Sequence, residues 1–364
     1  MVRAEIAGRP ADALNLNIQN AKQMKRLLVL PLALLVLSLS AQSQPADNKT
    51  PQETARAFTR QGDYNNAIVV LNSALKSEPE NLELLKDLAF NYYLNRDYTK
   101  GEAIAKPLVD RQDADMQTYQ LLALFYKATD DLKECEKLYK AGLKRWPRSG
   151  VLYSEYGEIM GAKEYYLAIK QWEKGIETDP NYAGNYYNAA KYYFTYGDKL
   201  WTLLYGEIFI NLESYSKRTA EIKQLLLESY KKLFVNMDEL TKNPDNSKGA
   251  FEMAWLHVLT PLAPLVNNGV TAESLTVLRT RFIINWFNTY PGNYPFRLFD
   301  YQRQLLKDGM FDAYNQWIFG AAGNLPAFQA WTNTHSDDYN RFINYQKGRI
   351  FKLPDGQYYQ TESK

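Results

Sequence analysis

A pattern of small, aromatic and turn-forming residues returns about every 34 positions, and it narrows what this 364-residue chain can become more than any other feature. In residues 48–81 it reads Ala55, Phe58, Gly62, Ala67, Leu71, Ala74 and Pro79. Residues 82–115 repeat it with Leu85, Leu88, Ala89 and Tyr92, then Asp97, Tyr98, Gly101 and Ala105. Residues 116–149 carry Tyr119, Leu122, Ala123 and Tyr126, followed by Tyr139, Gly142, Leu143 and Pro147. A slightly shorter unit, 150–180, carries Tyr153, Tyr156, Gly157, Met160, Ala168, Trp172, Gly175 and Pro180. A period of this length is the mark of a repeat array.

These residues and their spacing resemble the tetratricopeptide repeat over roughly residues 48–200. The resemblance implies an all-α chain, a right-handed superhelical solenoid in which each unit is two antiparallel helices. Ala55, Ala89, Ala123 and Gly157 on the first helices, with Ala67, Gly101 and Ala168 on the second, are then the small residues that let helices approach closely. Cys135 takes that place in the third unit and reads as a packing residue; a reactive thiol needs a base, and no histidine lies near it in sequence. Pro79, Pro147 and Pro180 follow helix ends, where a missing N–H costs nothing.

From Asn181 the pattern loosens. Residues 181–240 read as a degenerate fifth unit and a capping helix, since an open array end needs a closing surface. The polar stretch 241–249 predicts a boundary, and 250–364 a C-terminal helical domain. Within it Thr271 caps a helix that carries Leu275, Leu278, Phe282 and Trp286. Residues 297–306 and 310–319 read as a decayed helical hairpin, 326–345 as a further helix, and 350–359 as a small β-hairpin around Pro354, Asp355 and Gly356. Trp286, Trp317 and Trp331 at helical spacing are read as core.

Met24-Lys25-Arg26, an apolar run to Leu39 and the small residues up to Ala41 have the form of a secretory signal peptide over 24–41. The run is short for a spanning helix, which needs roughly 20 residues, so the product is expected to lack a stable membrane anchor and to be periplasmic or secreted. Residues 1–23 show neither a basic start nor helical periodicity and read as a mispredicted extension upstream of Met24.

Charge excludes one class of partner. The chain has 43 Lys and Arg against 41 Asp and Glu, and losing residues 1–41 leaves 38 against 39. A near-neutral product gives no electrostatic case for nucleic acid. One cysteine and two histidines leave little for a metal site, and no phosphate loop, serine elbow or paired histidines at metal spacing occur. No catalytic residue, cofactor or metal is expected, so the chain reads as non-enzymatic. His257, in an apolar run, is expected to be a hydrogen-bonded core residue, and His335 to be exposed.

The resemblance implies binding through the first helices, which line the inner face of such arrays. In this register the inward candidates are Lys86, Phe90 and Tyr93 of the second unit, Gln120, Leu124 and Lys127 of the third, and Tyr186 and Tyr193 of the fifth. Aromatic rings among long polar side chains suit an extended peptide or a partner helix. Repeats that clamp a chaperone's terminal carboxylate use Lys or Asn, Asn, and Lys or Arg across three units. The matching positions here hold Gln52, Arg56, Asp87, Gln117 and Leu121, and Asp87 repels a carboxylate, so that clamp is absent. The expected function is a protein- or peptide-binding scaffold of the bacterial cell envelope. An enzyme or small-ligand protein with its site in 250–364 is the alternative, and self-association through the array ends a third outcome.

Overall fold

The structure is a computed structural model that describes residues 49–235 and 249–360. The expected signal segment, the extension before it and most of the polar boundary stretch lie outside the described residues.

Helices pair throughout the first half: α1 (Pro51–Gln61) with α2 (Tyr64–Ala74), α3 (Leu82–Leu94) with α4 (Tyr98–Leu108), α5 (Met116–Ala128) with α6 (Leu132–Arg145), α7 (Gly150–Lys163) with α8 (Tyr165–Thr178), and α9 (Ala183–Tyr196) with α10 (Lys199–Leu212). The helix-pair solenoid expected from the sequence is therefore present. A repeated set of caps starts these helices. Asn81, Asp115 and Ser149 accept backbone N–H bonds at the starts of α3, α5 and α7, and Asp63, Asp97 and Asp131 do so for α2, α4 and α6. Each cap is worth about 1 kcal/mol. The turn inside each of the first three pairs needs one left-handed residue, supplied by Gly62 (φ 79°), Arg96 (φ 61°) and Asp130 (φ 58°).

Close approach explains the small residues. A Cβ on Gly157 would stand 2.2 Å from Nε1 of Trp172, and one on Gly101 2.3 Å from the Phe125 ring. Ala55, Ala67, Ala89, Ala105, Ala123, Cys135 and Ala168 are fully buried.

The array continues into α11 (Lys217–Val235), which lies against α9 and α10 as a sixth first helix. Beyond it come α12 (Ala250–Leu259), a 3-10 segment (Thr260–Val266), α13 (Ala272–Thr289) and α14 (Arg297–Lys307). Next is α15 (Phe311–Asn315), which runs on through a π turn (Gln316–Gly320) and a last α turn (Ala321–Gly323). The chain then forms α16 (Leu325–Thr334) and α17 (Ser336–Gly348). The helix expected over 326–345 is thus two helices, broken at His335. Thr271 caps α13 as expected, its Oγ1 accepting from Ser274 N at 3.2 Å.

A single connected cluster of buried apolar side chains runs from Ala89 to Leu353, with a smaller one around Ala55, Leu71 and Leu84. Inside the large cluster, Glu207 of α10 accepts hydrogen bonds from Arg279 of α13, from Gln302 of α14 at 2.7 Å and from Tyr314 of α15 at 2.8 Å. A buried carboxylate of the repeat array is therefore paired with one cation and two neutral donors, each from a different later helix. Trp286 and Trp317 are buried in this core and Trp331 is partly buried against it.

The segment 349–360 forms the expected turn at Asp355–Gly356, with Gly356 at φ 80°, but no strands. The Leu353 N–H and C=O are bonded to the array instead. The Asn181 side chain donates to Leu353 O and accepts from Leu353 N, both at 2.9 Å, and Arg148 pairs with Asp355 at 2.6 Å. Tyr359 stacks on Phe251 with centroids 4.5 Å apart. Two isolated strands are marginal, and these contacts supply what a sheet would have.

Candidate functional site: the inward groove

Successive first helices present equivalent positions side by side. Counting 34 residues from unit to unit, one row holds Gln52, Lys86, Gln120 and Ser154; a second holds Glu53, Asp87, Leu121 and Glu155; a third holds Arg56, Phe90, Leu124 and Glu158. Polar side chains bridge neighbouring helices along these rows. Gln52 and Arg56 donate to Asp87 at 2.9 and 2.8 Å, Lys86 to Asp115 at 2.8 Å, and Gln120 to Glu155 at 2.6 Å.

Between these bridges lies a groove of about 420 Å³, lined by Arg56, Glu83, Lys86, Asp87, Phe90, Gln117, Gln120, Leu121, Leu124 and Glu155. Phe90 is 38% exposed, high for a large apolar side chain, and stacks on Tyr93 with centroids 6.3 Å apart. Phe90, Leu121 and Leu124 make an apolar floor between polar walls.

The groove's cations are neutralised within the fold. Burial alone would depress the Lys86 ammonium, but hydrogen bonds to Asp115 and Glu83 outweigh it and hold its pKa above the ordinary lysine value. Arg56 is held by Asp87, and Lys127 lies 3.7 Å from Glu155. Glu155 also accepts from the buried Tyr139 hydroxyl at 2.6 Å. Glu158 sits one turn further along α7, and although its surface is exposed, desolvation by the atoms packed around it pushes its carboxyl above the usual carboxylate range.

The structure brings Lys86, Phe90, Gln120 and Leu124 into the groove, with Tyr93 under Phe90 and Lys127 at the end near Glu155. It does not bring Tyr186 or Tyr193 there. Tyr186 is 2% exposed and packs edge-on against Tyr205 of α10, while Tyr193 donates to Glu173 of α8 and accepts from Gln360 at 2.6 Å. The reason is register. α7 begins 34 residues after α5 and α9 33 after α7, so Tyr186 and Tyr193 are the counterparts of the buried Tyr119 and Tyr126, one residue, about 100°, short of the inward positions. Tyr187, Asn188 and Lys191 hold the inward positions: Tyr187 and Lys191 both reach Glu221 of α11, at 2.6 and 2.7 Å, and Asn188 reaches Ser154 at 3.3 Å. The fourth unit's Glu155 and Glu158 escaped sequence reasoning, although the 34-residue count from Leu121 and Leu124 lands on them.

Elsewhere, Cys135 is fully buried, which pushes its thiol up to about 11 and leaves it protonated at neutral pH. His257 is hydrogen-bonded to Tyr290 at 2.9 Å but is exposed, because it lies on the outer face of α12. His335 is exposed and stacks on Trp331. Among the described residues no group of three or more His, Cys, Asp or Glu side chains converges on a point that would hold a metal ion. No described helix is long and apolar enough to cross a membrane.

A profile of the tetratricopeptide repeat matches residues 58–124. Among curated proteins, none matches the sequence. Solved structures do. A thermophilic tetratricopeptide-repeat protein of Thermus thermophilus is 17% identical, covering 49% of this chain and 97% of its own, with a TM-score of 0.39. A tetratricopeptide-repeat protein of Parabacteroides merdae is 12% identical over 81% of this chain and 98% of its own, with a TM-score of 0.40. YrrB, described as a repeat protein with an unusual peptide-binding site, is 12% identical over 48% of this chain and 90% of its own, with a TM-score of 0.35.

Proposed function

This chain is a tetratricopeptide-repeat protein, and from that premise we propose that it is a non-enzymatic scaffold holding an extended segment of another protein in the groove of α3, α5 and α7. The observation that carries the reading is the apolar floor over the buried Leu121, where Phe90 is open to solvent and Leu124 partly so, between polar walls whose cations are already satisfied. Such a surface offers apolar burial at little cost in lost ion pairing. Peptide recognition in grooves of this kind draws its affinity from a few anchored side chains.

The same reading puts the protein in the cell envelope or outside the cell. Its support is the basic, apolar and small-residue succession of residues 24–41. Amino-terminal sequencing of the protein from fractionated cells tests this: a start near residue 42 in the exported fraction agrees, and an intact chain in the cytoplasm contradicts it.

For the groove, the experiment is affinity capture with the full chain carrying Phe90→Ala and Leu124→Ala. Both side chains are partly accessible, so the fold should survive, as judged by unchanged helical circular dichroism. Specific partners should fall at least tenfold, the loss of an anchor being worth about 2 kcal/mol or more. Partners retained at full yield would refute the groove.

A further inference from the structure

The groove has a polarity that the proposed function leaves unused. Its third row runs from Phe90 to Leu124 to Glu158, so an apolar floor gives way at α7 to carboxylates. Glu158 is exposed toward the inner face. Among the described residues, no Lys or Arg nitrogen lies within 4.0 Å of it.

The Asn188 amide hydrogen-bonds Glu158, and Lys127 and Arg218 act on it only through space, their direct partners being Glu155 at 3.7 Å and Glu213, while Lys191 is held by Glu221 at 2.7 Å. A carboxylate facing a groove in partly desolvated surroundings is stabilised by a cation brought to it. An acidic ligand would be repelled by Glu158, since Asp87 is already paired with Arg56 and Glu155 lies near Lys127.

Spacing follows from the repeat. Neighbouring helices pack about 10 Å apart, and an extended chain advances about 3.3 Å per residue, so a peptide crossing from α5 to α7 spends roughly three residues. We infer, building on the peptide-binding reading, that the groove takes a segment with a bulky apolar side chain on Phe90 and Leu124 and a Lys or Arg about three residues away on Glu158.

The test is display selection of random 12-residue peptides on the full chain, followed by fluorescence anisotropy of labelled winners against the native protein, Leu124→Ala and Glu158→Gln. Native selections should enrich an apolar residue and a basic one about three positions apart. Glu158→Gln should weaken those winners roughly tenfold and make binding less dependent on salt, while replacing the basic residue with norleucine should cost the native protein tenfold and Glu158→Gln nothing. Winners that need Leu124 yet lack a basic residue, or that bind Glu158→Gln unchanged, would overturn the inference and leave the groove intact as a peptide site. Winners indifferent to Leu124→Ala would overturn both.

Discussion

Replacing Glu207 tests whether the repeat array and the later helices stand or fall as one core. Glu207 and Arg279 are 4% and 3% exposed, and the carboxylate also accepts from Gln302 at 2.7 Å and Tyr314 at 2.8 Å. Glu207→Leu leaves the guanidinium buried without its anion, a loss of about 3–5 kcal/mol. The orphaned Gln302 amide and Tyr314 hydroxyl proton each add about 1 kcal/mol or more, since the bond that Tyr314 keeps, from the Asn211 amide at 2.7 Å, is one it accepts. A total of about 5 kcal/mol or more is a large part of the stability of an ordinary domain. Arg279→Met in the same chain removes the stranded charge, so the double variant should be more stable than Glu207→Leu alone, by about 2 kcal/mol. Urea unfolding followed by tryptophan fluorescence reads both numbers. A single substitution costing less than about 1 kcal/mol, or two substitutions whose costs simply add, would refute this account of the buried pair.

Other consequences are simpler. Gly157→Ala should cost about 1–3 kcal/mol in thermal or urea unfolding, because the new methyl meets the Trp172 indole at 2.2 Å. Arg96→Gly and Asp130→Gly should each stabilise by up to about 1 kcal/mol, since both hold a left-handed turn that costs an L side chain about 1–2 kcal/mol and glycine little; a loss of stability in both would contradict that. Lys223 is half-buried with its amine 3.5 Å from the centre of the Trp317 ring, and desolvation there pushes its pKa down to about 7 from 10.5. Between those values the unfolded chain binds the extra proton, so this group's contribution to stability should rise with pH from about 7 to about 10, its cost being complete below about 7. Lys223→Met should therefore stabilise more at pH 6 than at pH 10, and equal effects at the two would count against a buried amine.

The parts of this molecule legible in the sequence are those whose signal repeats. Ala89, Ala123 and Gly157 recur because each must admit a neighbouring helix, and the spacing that reveals them also places Lys86, Phe90, Gln120 and Leu124 on one face. Between α7 and α9 the interval is 33 residues, and Tyr186 and Tyr193 stand one residue, about 100°, short of the counterparts of Gln120 and Lys127, matching instead the buried Tyr119 and Tyr126. Glu207 and Arg279 left no trace because they meet across 72 positions of chain, with no local pattern to announce it. The turn at Gly356 was visible in Pro354, Asp355 and Gly356. What its flanks pair with was not, since Asn181 and Arg148 lie far away in sequence.

The central claim is that a partner lies against Phe90. A photo-crosslinking amino acid placed at position 90 of the full chain, in the native cell, tests it directly, with position 69 as control because Val69 is 64% exposed on α2, a second helix away from the groove. The account predicts a discrete crosslinked protein species from position 90 that position 69 does not give. No species from position 90, or the same species from both positions, would contradict it.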